Sequence, residues 1–496
     1  MIVGFFLSFW EKLRKIVKKD ENFVFWFSLL FYFVLYFNPN NKTLLLFFAL
    51  FILILFIKFK NLEEAFFWGF ITSIPIVVGK TYSFNLIPAN ELSQPNPNNP
   101  EGYNVELVIT TGNIIALFMV PLMFKTLIIF KKKQKLILDF SLFLLFLLIG
   151  LVLLSTLNSQ NPTISFLFFL TFLEPPLVFI YARYLINWRK DKTKNILYFL
   201  LSSQAIFESL WVILQFVKNG PLGKSIEYFT GIVPFGLGAD EDVWRYRPTG
   251  TFNHANLVAV FLLPIIILNF SSFYSKSKKP TRKIIYFLFP LILSILALGI
   301  TLGRSAWFSL FLGVIILSYI LEKKYRFSIE YVYEKWLLIL AFLVLIISPF
   351  FLLPRITSTF NSFVEGGGFA TRIELIKESL EVIKQNPLLG VGIGMSVPEM
   401  FKNNPRGMMY YFPTPVHNWY LFFASEAGIP ALLTFIFLLN SCLRKIFFVR
   451  QKNTFLTGTV IAVLAILING VFQPFLGSQD LLFIFLGILA SVKTKT

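Results

Sequence analysis

Long apolar runs recur along the whole chain, separated by short polar segments. A run of about 18 or more apolar residues can cross a roughly 30 Å hydrocarbon core at 1.5 Å rise per residue. In lipid the backbone must hydrogen-bond to itself, so these runs are read as helices. Their positions predict about fourteen spans, at 22–38, 43–58, 65–80, 105–124, 136–157, 164–187, 196–217, 256–273, 284–303, 306–321, 336–354, 418–440, 454–475 and 479–492. The second, third, tenth and last are short. The runs are apolar all round, so the 3.6-residue period says little within them.

Three polar stretches between the runs are long. The first, 81–104, contains IPANELSQPNPNNPEGYN and reads as irregular because of its Asn and Pro content. The second is 218–255. The third, 355–417, contains TRIELIKESLEVIKQN (371–386), in which Ile373, Leu375, Ile376, Leu380, Val382 and Ile383 cluster broadly on one helical face. Thr371 is the expected N-cap, with Glu374 at the capping-box position, and PLLGVGIGMS ends the helix. This amphipathic helix is expected on the outer membrane surface. Neither an internal repeat of span lengths nor a soluble domain is apparent.

Composition supports the membrane reading. Hydrophobic residues make up 56% and charged residues 14%, with a mean hydropathy of +0.71, where a soluble domain carries about a quarter charged residues. The net charge of +19 would suggest nucleic acid for a soluble protein. Here it follows the positive-inside pattern, and no nucleic-acid partner is expected. The basic segments KKKQK (131–135), WRKDKTK (188–194), SKSKKPTRK (275–283), EKKYR (322–326) and LRKIFFVRQK (443–452) all fall on one side of the alternating spans. On that side Lys and Arg outnumber Asp and Glu roughly three to one, and on the other they balance. Both termini are therefore placed in the cytoplasm. Lys125 and Arg183 lie near inner ends, where they can snorkel. Residues 1–20 run from IVGFFLSFW to EKLRKIVKK, the reverse of signal-peptide order, and read as an amphipathic helix on the inner leaflet. The single cysteine, Cys442, excludes an intramolecular disulfide and cysteine-pair metal sites.

A charge inside lipid is costly and needs a partner or a purpose. Glu174 sits mid-span in FLEPPLVF, beside Pro175 and Pro176, which kink the helix, and Glu208 sits in SSQAIFESLW. Each glutamate is a proton relay, a paired group inside the bundle or a carboxyl kept neutral by burial. Arg304, in TLGRSAWF, falls at the outer end of the ninth span. The two histidines, His254 in RPTGTFNHAN and His417 in PTPVHNWYLF, also fall on the outer side. Arg245, Arg247, Arg304, Arg372 and His417 are thus expected to converge at one interface. Arginine binds phosphate oxygens in bidentate fashion at any relevant pH, and histidine takes a proton near neutrality. The plain alternatives are a snorkelling arginine anchor and an interfacial histidine bonded to water or a loop carbonyl.

Four segments, in order across 245–440, resemble the O-antigen ligase and polymerase superfamily: RPTGTFNHANLVAVFLLPIIIL, ITLGRSAWFSLFLGVIIL, TRIELIKESLEVIKQNPLLGVGIG and HNWYLFFASEAGIPALLTF. The first 240 or so residues carry no such motif, and Gly303 stands where the family often has serine before the arginine. The resemblance implies an all-α polytopic membrane protein of GT-C-like kind, with about 12–14 spans and a large extracytoplasmic loop containing an amphipathic helix. Its catalytic core would be 245–440, including the outer loop 355–417, flanked by helices in 21–244 and 441–496.

The same resemblance implies inverting, metal-independent glycosyl transfer on the outer face of the inner cell membrane, without a cofactor. The donor would be a glycan on a polyprenyl diphosphate, and the acceptor a hydroxyl of a lipid, a sugar or a protein. No Asp-x-Asp pair lies within these motifs, and no histidine cluster has metal-ligand spacing. Arg304 and Arg247 match positions that hold the diphosphate and stabilise the leaving group. His417 matches the position that orients or deprotonates the acceptor hydroxyl. Asn418 would hold the histidine or the sugar, Arg372 would add a phosphate contact, and Glu426 would cap or brace the histidine helix. His254 reads as structural. Ligase and polymerase share a donor and differ in acceptor, so both stay open. The rival reading is a secondary transporter of a small anion or solute, resting on Glu174, Glu208 and the Pro-Pro break. A scaffold without catalysis is a third.

Overall fold

A computed structural model shows a mostly helical chain. It describes residues 20–37, 41–77, 79–92, 102–133, 139–186, 188, 190–224, 227, 246–273, 284–324, 368–411, 413–447, 453–474 and 479–492. The expected N-terminal amphipathic helix, the span at 336–354 and Arg245 lie outside these residues. Among the described residues five helices are long and apolar enough to cross a membrane: 140–157, 162–185, 191–218, 255–272 and 304–321. Shorter apolar helices cover 43–59, 111–125, 284–300, 429–444, 454–470 and 479–490. The chain is a multi-pass membrane protein.

The chain divides into two compact units, 1–78 with 184–351 and 451–465, and 79–183 with 352–450 and 466–496. The first contains α1 (Asp20–Tyr36), α2 (Asn41–Phe59) and α3 (Leu62–Ser73). The second contributes β1 (Gly79–Pro88), β2 (Gly102–Thr110), α4 (Thr111–Lys133), α5 (Phe140–Leu157), α6 (Pro162–Phe172) and α7 (Glu174–Ile180). The chain then returns to the first unit for α8 (Asp191–Lys218), α9 (Ala255–Phe273), α10 (Phe289–Ile300) and α11 (Arg304–Lys324). The second unit is completed by α12 (Gly368–Gln385), α13 (Ser396–Asn403), α14 (Met408–Tyr411), α15 (Trp419–Ala427), α16 (Ile429–Phe447) and, after α17 (Thr454–Gly470), by α18 (Gln479–Ala490).

In the first unit α8 is the centre, packed against α1 and α10, while α9 packs on α10 and α11. Nearly every residue of α8 from Ile196 to Ser209 is buried, which is why its sequence lacks an apolar stripe. Polar side chains inside this bundle are bonded across helices. Tyr32 Oη donates to the Thr72 carbonyl at 2.8 Å and Gln204 Nε2 to the Ile71 carbonyl at 2.5 Å. Such bonds satisfy groups that lipid cannot.

In the second unit α16 packs on α5 and α18, and α18 packs on α7. Gly487 permits that last approach, because a Cβ there would sit 2.6 Å from the Phe179 carbonyl and 2.8 Å from the Ala182 side chain. Arg183, expected to snorkel, instead forms an ion pair with Asp139 and bonds Ser141 at the start of α5.

Among the described residues the fold departs from all-α at one place. Both ends of the stretch 81–104, expected to be irregular, are strands of an antiparallel pair whose register runs from Gly79 opposite Thr110 to Pro88 opposite Gly102, with an irregularity between Asn85 and Ile87, while 93–101 lies outside the described residues. Alternating β-branched and aromatic residues in TYSFNLI and YNVELVI favour strands over a polar loop. The spans expected at 65–80 and 105–124 accordingly exchange their adjoining ends for strand. The segments read as loops also share an apolar core, built from Ile87, Leu92, Leu375, Val382, Met400 and Met409 among others.

Two further expectations need correction. The helix expected at 371–386 begins at Gly368, so Thr371 is internal rather than its N-cap, and Glu374 pairs with Lys377 at 2.8 Å. Its buried face is Leu375, Glu378, Ser379, Val382 and Ile383, while Ile373 and Leu380 are exposed. The span at 164–187, by contrast, is present as 162–185, kinked at Leu173 just ahead of Pro175 and Pro176 as expected. The span at 418–440 is two helices separated by Gly428, whose φ of 84° is the left-handed backbone that glycine supplies.

Candidate functional site

In the first unit the segment RPTGT (247–251) is held from below by α8. Gln215 Oε1 accepts from the backbone N–H of Thr249 at 3.1 Å and of Gly250 at 2.9 Å, and its Nε2 donates to the Gly250 carbonyl at 3.0 Å. Glu227 braces Gln215 and Trp211, accepting from both at 2.7 Å. Glu208, fully buried, accepts from Thr251 N at 3.1 Å and Thr251 Oγ1 at 2.6 Å. Its partners inside the bundle are the backbone and hydroxyl of Thr251. Glu208 closes the backbone donors of this segment, and Gly250, at φ 63°, leaves room for the carboxylate against it.

That scaffold fixes Arg247. Its side chain is 8% exposed, its Nε donates to the Thr301 carbonyl at 2.7 Å, and its Nη2 bonds Asn256 Oδ1. His254 accepts from Asn256 N through Nδ1 at 3.0 Å, the structural role expected for it. Thr301 ends α10. Leu302 adopts a left-handed φ of 58°, and Arg304 opens α11 as an exposed residue. Gly303 lies against α9, where a Cβ would come within 3.0 Å of the Ala259 methyl. The family's serine would crowd that contact, so glycine suits this tight turn.

In the second unit His417 and Arg372 are brought together. His417 precedes α15, is half-buried, and its Nδ1 is buried with no hydrogen-bond partner among the described residues. Burial first, then the charge of Arg372, hold the imidazole down at about 4, against the opposing pull of the Pro415 carbonyl. The ring is therefore neutral at physiological pH and has a lone pair to offer. Asn418 is the N-cap of α15: its Oδ1 accepts from Tyr420 N at 3.0 Å and Leu421 N at 3.1 Å. Its carbonyl oxygen is thus committed to the backbone, which fixes the exit of the chain after His417.

Glu426, at the other end of α15, is 3% exposed and accepts from Ser396 Oγ at 3.0 Å and from the backbone N–H groups of Gly394 and Ser396. Its own carbonyl accepts from Gly392 N at 2.9 Å and Ser155 Oγ at 2.5 Å. The glycine-rich turn that ends α12 is thereby wrapped on the end of α15. Gly390, Gly392 and Gly394 have φ of 66°, 98° and 82°, which is why the turn is glycine at alternate positions.

Beside this helix lies a cavity of about 670 Å³, walled by β2, α5, α6, α7, the glycine-rich turn, α15, α16 and α18. Glu174, Glu426 and Asp480 reach it, and Asn113 Nδ2 bonds Glu174. The sequence marked Glu174 as an in-span acid. Asp480 and Ser396 carried no signal, since nothing local says that α18 or the glycine-rich turn faces a cavity.

Residues 289–436 match the O-antigen ligase family. The stretch holds Arg304, Arg372, His417, Asn418 and Glu426, and leaves out Arg247. No curated protein matches the chain. The match covers less than a third of the chain, so over 289–436 the chain is similar to the O-antigen ligase family.

Proposed function

We propose that the protein is a membrane glycosyltransferase, a ligase or polymerase that moves a glycan from a polyprenyl diphosphate to a hydroxyl acceptor on the extracytoplasmic side. The observation that carries the reading is the buried Nδ1 of His417, which has no hydrogen-bond partner among the described residues, lies within the charge field of Arg372 and falls in the family-matched stretch. A general base needs such an unprotonated nitrogen.

The acceptor oxygen attacks the anomeric carbon from the face opposite the diphosphate, forming the new glycosidic bond with inversion. The bond from that carbon to the diphosphate oxygen breaks, and the polyprenyl diphosphate leaves with both electrons. His417 takes the acceptor proton. Arg304 and Arg247 bind the diphosphate, and their charge stabilises it as it departs. Arg372 adds a phosphate contact and keeps His417 unprotonated. Asn418 and Glu426 fix the helix that carries the histidine. The reaction asks no metal of these motifs. The positive-inside pattern supports cytoplasmic termini, and the full set of 12–14 spans in a GT-C-like arrangement belongs to the same reading.

Replacing His417 or Arg304 with alanine and assaying transfer from a lipid-linked glycan tests this directly. Loss of transfer in both is expected, and full activity in both would overturn the reading. The cavity beside Glu174 and the kink at Leu173 also suit a secondary transporter. Solute uptake into proteoliposomes, abolished by Glu174→Gln, would favour that instead.

A further inference from the structure

The cavity of the second unit has a lining that the diphosphate chemistry does not use. Among the described residues no Lys or Arg contributes to its wall, whereas Glu106, Glu174, Glu426 and Asp480 all do. A phosphate group finds no counter-ion there and four acidic neighbours, so the cavity rejects the charged part of the donor. Asn104, Ser396 and Gln479 add neutral polar groups. A carboxyl group bonds hydroxyls well in either protonation state, as does an amide.

Aromatic and aliphatic residues share the rest of the described wall. Trp419 and Phe423 stack with ring centroids 5.0 Å apart and an interplanar angle of 7°, and Phe168 and Phe172 contribute from α6. Flat aromatic faces with polar groups between them match a sugar ring, which has apolar C–H faces and a hydroxylated edge. The volume of about 670 Å³ lies well inside the range of small-molecule sites, roughly 300–1,000 Å³.

The position matters as much as the lining. Pro415 and Trp419, on the two sides of His417 in the chain, both belong to the wall. The histidine itself does not line the wall, but its chain neighbours two residues to either side do, so the segment that carries it borders the cavity. We infer that this cavity is the acceptor subsite, that its occupant is the uncharged saccharide end of the acceptor, and that Glu174, Asp480 and Trp419 bind it so that one hydroxyl meets His417. The assignment rests on the glycosyl-transfer reading for the word acceptor, and on the cavity alone for the saccharide.

Two measurements on the full-length protein in detergent test it. The first is saturation-transfer NMR with trehalose and with trehalose 6-phosphate as probes. Trehalose is expected to bind and the phosphate to bind at least severalfold more weakly, and Thr171→Trp, which fills the cavity, is expected to remove the trehalose signal. Equal binding of the two sugars, or a signal that Thr171→Trp leaves intact, overturns the inference. The second is transfer kinetics of the isosteric pair Glu174→Gln and Asp480→Asn, which keep the side-chain volume should the tryptophan variant fail to fold. Acceptor KM is expected to rise about tenfold with donor KM unchanged. Transfer with an unaltered acceptor KM defeats the subsite while the transferase stands. Trehalose binding in a protein that transfers from no lipid-linked glycan defeats the transferase and with it the name acceptor.

Discussion

Arg247 donates from Nε to the backbone carbonyl of Thr301 at 2.7 Å, three residues before Arg304. One candidate phosphate-binding arginine thus ties down the turn that presents the other. The two differ in surroundings, since Arg247 is buried and Arg304 is exposed. Arg247→Ala strands a carbonyl and is expected to lower stability by about 1–3 kcal/mol as well as transfer. Arg304→Ala is expected to cut transfer by about 10²-fold or more with the unfolding midpoint unchanged. Thermal unfolding in detergent beside a transfer assay separates the two effects, and equal midpoint losses would contradict this division.

The pH profile follows from His417. Its folded value, about 4, lies below the ordinary 6.5. The neutral base is present at every pH above about 4, so the acid limb of kcat/KM is expected near pH 4 and not near 6.5. Because Arg372 contributes to the depression, Arg372→Gln is expected to move that limb to higher pH. A limb that stays in place would leave burial as the whole cause.

The same shift has a stability consequence. The folded value is depressed, so on acidification the unfolded chain takes the proton first. The contribution is complete above pH 6.5 and declines as pH falls from 6.5 towards 4. His417→Gln is expected to flatten the pH dependence of the unfolding midpoint across that window.

Glu208 accepts two hydrogen bonds from Thr251 in a fully buried setting. Glu208→Ala leaves the backbone N–H of Thr251 unsatisfied, while the Thr251 hydroxyl still has the Pro75 carbonyl, and is expected to cost about 2 kcal/mol, whereas Glu208→Gln, which keeps an acceptor oxygen, costs less. Unfolding midpoints of the two variants decide this. Proton-coupled uptake abolished by both, with equal stability, would point to a relay instead.

Gly392 combines a φ of 98° with a backbone face against α5 and α6, where a Cβ would lie 2.5 Å from the Ser159 Cβ and 2.8 Å from the Ser165 hydroxyl oxygen. Gly392→Ala is expected to lose about 2 kcal/mol or more and to loosen the turn that binds Glu426. Proteolysis at the 390–396 turn, faster in the variant than in the wild type, is the local readout.

The sequence by itself determined the solvent. Apolar runs of span length and few charges commit the chain to a lipid environment, because the backbone of such runs has no other way to stay bonded. It also marked the residues whose type alone is informative, the two histidines and Arg304, and of these Arg304 and His417 lie in the stretch that the family match covers. Where local pattern and local structure coincide, as for α8, α9 and α12, the helices appear close to their expected bounds.

Only the tertiary structure decided how partners are matched. That Glu208 serves Thr251, that Arg183 pairs with Asp139, and that Asp480 and Ser396 share a cavity with Glu174 are meetings of residues remote in the chain. No local period encodes them. The pairing of β1 and β2 is the same lesson at the level of backbone. The two strands flank an Asn- and Pro-rich stretch that reads locally as irregular, and their stability comes from cross-strand pairing and from the core they share with α12 and α13. His417 shows both contributions in one residue: its type was legible in the sequence, while burial and the neighbouring Arg372, which the fold alone supplies, set whether it carries a proton.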